Sequence, residues 1–338
     1  MPKNIALLAL TPHQVHLMKN IYKLLKYNNH NVIYLVRDYN ITVKLLDELQ
    51  LNYTLISKEK LVSKEIYNLF FKTYSYLKNN DINFVIGDST LGIPSFAKKI
   101  PSIALTNMDA NFLYPFFYKY VSKNNYVLTP SHYRYNLGKK HIKYSGYQQL
   151  AYLNPKYYTP NKKIYDYLDL DFDEKYCVVR LNAFDAYSHD FQLRSLSENE
   201  LDHLIESLKP IGKVIIIPES KISSKYNKYV LNFPVHMIFD LLFYSDLLCT
   251  ETAMATESII LGTPTILVHQ KASNFSDFIT LKNFGLKICN INYLLKKAAP
   301  LFKIGKNKNL SFEQIYYSNF NRADDPNIIV MKILNSLL

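Results

Sequence analysis

Short apolar runs alternate along the chain with longer stretches whose apolar positions recur every three or four residues. Residues 4–10 (NIALLAL) are apolar almost throughout and read as a buried strand. Val15, Leu17, Met18, Ile21, Leu24 and Leu25 then mark one face of a helix. The pattern continues with strands expected at 32–36, 53–56, 82–87 and 101–105, and helices at about 40–50, 61–79 and 91–99. Strands that are apolar on both faces are what a parallel sheet covered by helices on each side requires. The second half repeats the scheme, with strands expected at 176–181, 213–217, 246–249 and 264–268 and helices at 197–208, 235–244, 253–261 and 325–337. Ser197 followed three residues later by Glu200 is a capping-box signature for the first of these helices.

The region 154–175 between the halves is polar, carries Pro155 and Pro160, and gathers several Asp and Glu. The fold expected is α/β: two doubly wound Rossmann-like domains facing a cleft. Residues 1–155 form the first domain, 174–338 the second and 156–173 the linker, and the C-terminal helix is a candidate to pack back on the first domain. A chain of 338 residues is long enough for two cores. In such folds a ligand is expected at the carboxyl ends of strands, in the cleft.

Composition narrows the function classes. No apolar run approaches the roughly 18–20 residues that span a bilayer, and MPKNIALLAL lacks the cleavage site of a secretory signal. A cytoplasmic location is expected, with peripheral contact at the inner face of the membrane. Cys177, Cys249 and Cys289 are odd in number, far apart and set in apolar runs, and so read as buried thiols. Lys and Arg total 40 against 28 Asp and Glu, a net charge of +12 that suggests an anionic partner. The basic side is nearly all lysine, which disfavours a sequence-specific nucleic-acid reader built on arginine forks. No Walker loop, GxGxxG, HExxH, GxSxG or CxxC occurs, which removes most support for ATPase, NAD-dependent and zincin readings.

The segment Tyr244–His269 carries the most chemistry. It reads strand, tight loop, helix, Gly-Thr-Pro turn, strand. A helix opening near Thr252 and Ala253 presents backbone N–H groups to a phosphate, and Glu257, one turn in, can accept two ribose hydroxyls. The same spacing also fits an ordinary α/β unit with a surface glutamate.

This segment resembles the nucleotide-sugar half-site of GT-B glycosyltransferases and UDP-N-acetylglucosamine 2-epimerases. A wider set of blocks resembles a narrower prokaryotic GT-B-like family, domain of unknown function 354. These blocks are Pro12-His13-Gln14-Val15-His16, Gly146 to Pro155 (GYQQLAYLNP), Arg180-Leu181-Asn182-Ala183-Phe184, Ala186 with His189-Asp190, and Met254-Ala255-Thr256-Glu257 with Leu261-Gly262-Thr263-Pro264. The loop departs from the family's usual glycines, reading Glu251-Thr252-Ala253, and Glu251 would repel a diphosphate if it pointed inward.

The resemblance implies a glycosyltransferase using a nucleotide-sugar donor, in surface polysaccharide assembly, with the nucleotide-sugar as substrate and no bound cofactor or metal. Arg180 is a candidate diphosphate clamp or the partner of a carboxylate such as Asp185. Glu219 is a candidate contact for sugar or base, and His236 grips the nucleobase or caps a helix. His189 with Asp190 forms an oriented base or a loop cap. In the first domain His13 follows strand one and is the candidate base for an acceptor hydroxyl. Asp88, in Gly87-Asp88-Ser89-Thr90, looks like the catalytic acid of the 2-epimerases or serves as an N-cap, and Asp109 is the other acid in reach.

No Asp or Glu occurs between Asp109 and Asp166, and 178–184 reads VVRLNAF without histidine. The epimerase set is therefore incomplete, and glycosyl transfer is preferred to the alternative of a nucleotide-sugar 2-epimerase. A third reading is a non-catalytic scaffold for membrane or nucleic acid. Residues 110–165 interleave nine Lys and Arg with many Tyr and Phe. This composition fits a face that docks on anionic lipid beside a glycan or lipid-linked acceptor, a single-strand groove, or an ordinary domain segment.

Overall fold

The computed structural model describes residues 1–58, 63–87, 92–107, 121, 123–172, 174–182, 196–268, 275–291, 293–294 and 310–337. The chain divides into two compact units, Met1–Tyr157 with Arg322–Leu338, and Tyr158–Asn321.

In the first unit the chain runs β1 (Asn4–Ala9), α1 (Pro12–Tyr27), β2 (Asn31–Arg37), α2 (Thr42–Glu48), β3 (Tyr53–Ser57), α3 (Ser63–Asn79), β4 (Phe84–Gly87), α4 (Gly92–Lys98), β5 (Ser102–Leu105), β6 (Tyr126–Pro130) and β7 (His141–Tyr144). These strands form one parallel seven-stranded sheet in the order β3-β2-β1-β4-β5-β6-β7. Ile5 to Ala9 are all buried on both faces of β1, as a central strand flanked by helices requires. Leu8 sits opposite Leu35 on one side and Gly87 on the other. Gly87 has φ +141°, and a Cβ there would lie 2.3 Å from the Leu8 carbonyl oxygen, so only glycine lets β4 end this close to β1.

The second unit runs α5 (Ile164–Leu168), β8 (Tyr176–Arg180), α6 (Glu198–Leu208), β9 (Lys213–Ile217), α7 (Ile238–Tyr244), β10 (Leu247–Thr250), α8 (Met254–Ile260), β11 (Thr265–Val268), α9 (Ser276–Leu281), β12 (Lys287–Cys289) and α10 (Phe312–Phe320). Its parallel five-stranded sheet has the order β12-β11-β10-β8-β9. The capping box of α6 is present: Ser197 Oγ accepts the Glu200 N–H, and the Glu200 carboxylate accepts the Ser197 N–H at 2.8 Å.

The chain then returns to the first unit with α11 (Pro326–Leu337). The Ala151 carbonyl ties this return together. It accepts the side-chain amides of Asn20 in α1 and Asn327 in α11, each at 2.8 Å. Asp324 and Ser145 exchange backbone and side-chain hydrogen bonds beside them.

β6, β7 and β12 are not announced by the apolar pattern. β7 (HIKY) and β12 (KIC) are short edge strands with largely part-exposed side chains, so they carry no continuous apolar run. β6 lies inside the lysine- and tyrosine-rich stretch. Helix 235–244 is broken into a 3-10 turn, Val235–Met237, followed by α7.

Candidate functional site

In the second unit the parallel register aligns Thr250 with Arg180 and Arg180 with Ile217. The carboxyl ends of β10, β8 and β9 therefore lie side by side. The chain leaves β8 toward β9 on one side and later resumes at β10 on the other, so the strand order reverses between β8 and β10. In open α/β sheets such a reversal at the carboxyl ends of strands is where ligands are expected.

Glu251, the first residue past β10, is 8% exposed. Its N–H donates to the Arg180 carbonyl at 3.2 Å. Its carboxylate holds two backbone amides: Oε2 accepts the Asn182 N–H and Oε1 accepts the Leu196 N–H, both at 3.0 Å. The acid expected to oppose a diphosphate thus bonds charge to backbone amide on each side of residues 183–195.

The loop is also bonded within itself. The Thr252 N–H donates to Thr250 Oγ1 at 3.0 Å, and Thr252 Oγ1 accepts the Met254 N–H at 3.3 Å. Ala255 and Thr256 donate to the carbonyls of Thr252 and Ala253. Ala253 is the N-cap and offers no side-chain oxygen, so Thr252 takes over the capping one residue early. The amides read from the sequence as phosphate donors at Thr252 therefore already have local acceptors. Glu257 is buried in the first turn of α8. The turn that ends α8 needs Gly262: φ is +72°, and an added Cβ would lie 2.7 Å from the Ile315 side chain.

Arg180 and Glu219, separate candidates in the sequence, are brought together. Arg180 Nη2 lies 3.6 Å from Glu219 Oε1 with both side chains mostly buried, and Nη1 donates to the Ile217 carbonyl at 3.4 Å. The carboxylate pairing expected of Arg180 is made with Glu219, while Asp185 lies outside the described residues. His236 is exposed in the 3-10 turn before α7.

In the first unit the strand order reverses between β1 and β4. Thr11 caps α1 by accepting the Gln14 N–H, Gln14 Oε1 accepts the Leu10 N–H at 2.6 Å, and Pro12 opens the helix. His13 is thereby fixed in the first turn, half-buried. Its Nε2 lies 3.3 Å from Gln148 Oε1, and its Nδ1 lies 3.1 Å from the Tyr152 hydroxyl. An amide oxygen only accepts, so Nε2 carries the proton, and Nδ1 accepts from Tyr152. The His16 ring packs 5.7 Å from the same tyrosine. The two blocks PHQVH and GYQQLAYLNP, far apart in sequence, thus form one network. Gln148 and Tyr152 are neighbours of His13 that the sequence reading does not single out. The signal for them is a pair of glutamines inside an apolar run, since buried amides require partners.

Asp88, Asp109 and His189 lie outside the described residues, as do His269 and residues 110–120 and 122 of the basic stretch. Among the described residues no group of His, Cys, Asp or Glu has the arrangement of a metal site. The cysteines are free. Burial, helped by Asp246, pushes the Cys177 thiol up to about 12, and burial pushes Cys289 up to about 11 and Cys249 well above its usual value. These thiols are protonated at neutral pH and are not nucleophiles.

No family model matches the chain and no curated protein matches its sequence. The resemblance to domain of unknown function 354 therefore rests on the quoted residues alone. Solved structures do match. UDP-N-acetylglucosamine 2-epimerase from Rickettsia bellii superposes with a TM-score of 0.68 at 15% identity, covering 99% of this chain and 96% of that one. UDP-GlcNAc 2-epimerase from Neisseria meningitidis, bound to UDP-GlcNAc, gives 0.62 at 12% identity, covering 98% and 100%. MurG from Acinetobacter baumannii gives 0.57 at 16% identity, covering 99% and 100%. At these identities the likeness establishes the fold: two Rossmann-like α/β domains of the GT-B type.

Proposed function

We propose that this protein is a glycosyltransferase that uses a nucleotide-sugar donor in the assembly of a surface glycan. The observation that carries the reading is the set of groups at the β8–β10 reversal of the second unit. Arg180, Glu219, the Thr250–Ala253 loop and buried Glu257 stand on adjacent strand ends, where open α/β sheets take their ligands. Neighbours that share the fold include an epimerase holding UDP-GlcNAc and the glycosyltransferase MurG, which supports a nucleotide-sugar as ligand class. Glu257 accepts ribose hydroxyls, and Arg180 turns from Glu219 toward the phosphates.

The transfer breaks the bond between the sugar's anomeric carbon and the phosphate oxygen, and the electron pair leaves with the nucleoside diphosphate. An acceptor hydroxyl forms the new bond and loses its proton. His13 is the base proposed for that proton. Its surroundings suit a general base. Nε2–H keeps its hydrogen bond to Gln148 Oε1 in both charge states, which holds the ring in place while Nδ1 takes the proton. This step requires the acceptor hydroxyl to displace the Tyr152 hydroxyl from Nδ1.

The alternative is 2-epimerisation of the nucleotide-sugar. It is favoured by the close end of β4 at Gly87, which leads directly into Asp88. Product analysis separates the two. Incubated with donor alone, a transferase leaves the sugar's configuration at C2 unchanged and releases nucleoside diphosphate only when an acceptor is added. Appearance of the 2-epimer without acceptor, abolished by Asp88→Asn, would replace the transferase reading with the epimerase one.

A further inference from the structure

A cavity of about 410 Å³ opens at the amino-terminal edge of the first sheet. β1 is six residues long, so at roughly 3.3 Å per residue this edge lies about 20 Å from the strand ends where His13 stands. Asn4 and Asn31 sit opposite each other where β1 and β2 begin. Side-chain amides bridge the strand starts here: the Asn31 amide donates to Asn4 Oδ1 at 2.9 Å, the Asn4 amide donates to the Asp81 carbonyl at 2.9 Å, and Asn83 Oδ1 accepts the Asn4 N–H at 2.8 Å. These bonds set the rim in place before any ligand arrives. The floor is apolar, with Ile5 and Val32 buried beneath it. Tyr76 of α3 lines one side and packs, partly buried, against the core of the sheet.

The polar groups that remain are mostly acceptors. Asn80 spends its amide N–H on the Tyr76 carbonyl at 2.9 Å and keeps its oxygen. Asn31 likewise keeps its oxygen, and the exposed Asp81 carboxylate is taken up by no donor among the described residues. Asn79, the last residue of α3, brings a whole amide to the same rim. Lys26 and Asp81 are the charged lining residues, one of each sign, so the cavity carries no net charge. The matching ligand is uncharged, brings several O–H donors, and has an apolar face for the floor and for the Tyr76 ring. A saccharide ring has this form: hydroxyls around its edge and C–H groups on its faces. An apolar ligand would leave the rim unpaired, an anion would meet Asp81, and a cation would meet Lys26. We infer that this cavity is a binding site for a neutral saccharide, separate from the strand-end groups described above. It does not depend on the transferase reading.

The test is saturation-transfer NMR of the full chain with a panel of neutral disaccharides and of disaccharides that contain a uronic acid. Asn79→Ala/Asp81→Ala removes two exposed side chains and leaves the fold intact, which thermal unfolding checks. The expected result is binding of neutral members in preference to acidic ones, weakened roughly tenfold or more in the double variant and unchanged in His13→Asn. Asn79→Trp, which fills the cavity from the end of α3, is a second variant expected to abolish binding. Failure to bind any neutral disaccharide, a preference for the acidic ones, or equal binding by the wild type and both cavity variants overturns the inference. So does binding that His13→Asn loses and the double variant keeps, which would put the saccharide at the strand ends instead.

Discussion

The Glu251 carboxylate accepts the backbone N–H of Leu196, 55 residues earlier, at 3.0 Å. With its other oxygen on the Asn182 N–H, it bridges the two ends of residues 183–195 at the β8–β10 reversal. Where the resembled families place glycine, this chain places a buried anion of its own. Glu251→Ala strands two backbone donors, and each buried unsatisfied group costs about 1–3 kcal/mol. The variant is expected to lose about 3 kcal/mol of stability in urea titration, and Glu251→Gln, which keeps one acceptor, about half as much. Equal stability of wild type and Glu251→Ala would show the bridge to be incidental.

The Arg180–Glu219 pair holds a guanidinium beside the position proposed for the donor's phosphates. If Glu219 competes with the phosphates for that charge, Glu219→Gln tightens nucleoside diphosphate binding by about threefold, whereas Arg180→Ala weakens it by about tenfold or more. Calorimetric titration reads both. Weaker binding in Glu219→Gln would instead make Glu219 a direct ligand contact.

His13 predicts a split between kinetic constants. His13→Asn is expected to lower kcat about a hundredfold or more with little change in the donor KM, and to remove the acid limb of the pH–rate profile. Tyr152→Phe removes the hydroxyl that the acceptor must displace from Nδ1 and is expected to keep most of the activity that His13→Asn loses. A His13→Asn enzyme with an unaltered acid limb would assign the base elsewhere.

Acid sensitivity of the first unit follows from His141. Its Nδ1 accepts the Leu137 N–H at 3.1 Å, and its Nε2 meets Thr129 Oγ1 at 2.7 Å. Burial, and secondarily Lys143, lowers its pKa below the ordinary histidine value. The unfolded chain therefore binds the proton first as pH falls. The stability His141 contributes is complete above the unfolded value of about 6.5 and is lost as pH falls toward the folded value. His30, lowered by burial and by the N-terminus and Lys3, acts with the same sign. Between about pH 7.5 and about pH 5.5 the Tm is expected to fall less in His141→Gln than in the wild type. An equal fall would place the acid sensitivity at other groups.

Most strands buried on both faces are legible in the sequence; β6, buried at Val127–Pro130 but ended by Thr and Pro within a lysine- and tyrosine-rich stretch, is the exception. β1, β8 and β10 are continuous apolar runs because helices cover them on each side. β7 and β12 are not legible, because an edge strand has one side open and needs no such run. The candidate site is legible in its residue types but not in its pairings. Arg180 and Glu219 each carry chemistry on sight, yet their contact comes from the register of β8 on β9. Glu251 reads as a threat to a phosphate because its partners are backbone amides, and backbone amides leave no trace in residue identity. His13 is legible from its place after β1, but its cage of Gln148 and Tyr152 depends on a chain segment about 135 residues away.

The most direct test is calorimetric titration of the wild type and Glu257→Ala with a panel of UDP-, GDP- and CMP-sugars. The account predicts saturable heat with at least one nucleotide-sugar for the wild type and its loss in Glu257→Ala, with both proteins folded by circular dichroism. No heat with any member of the panel, or equal binding by both proteins, would contradict it.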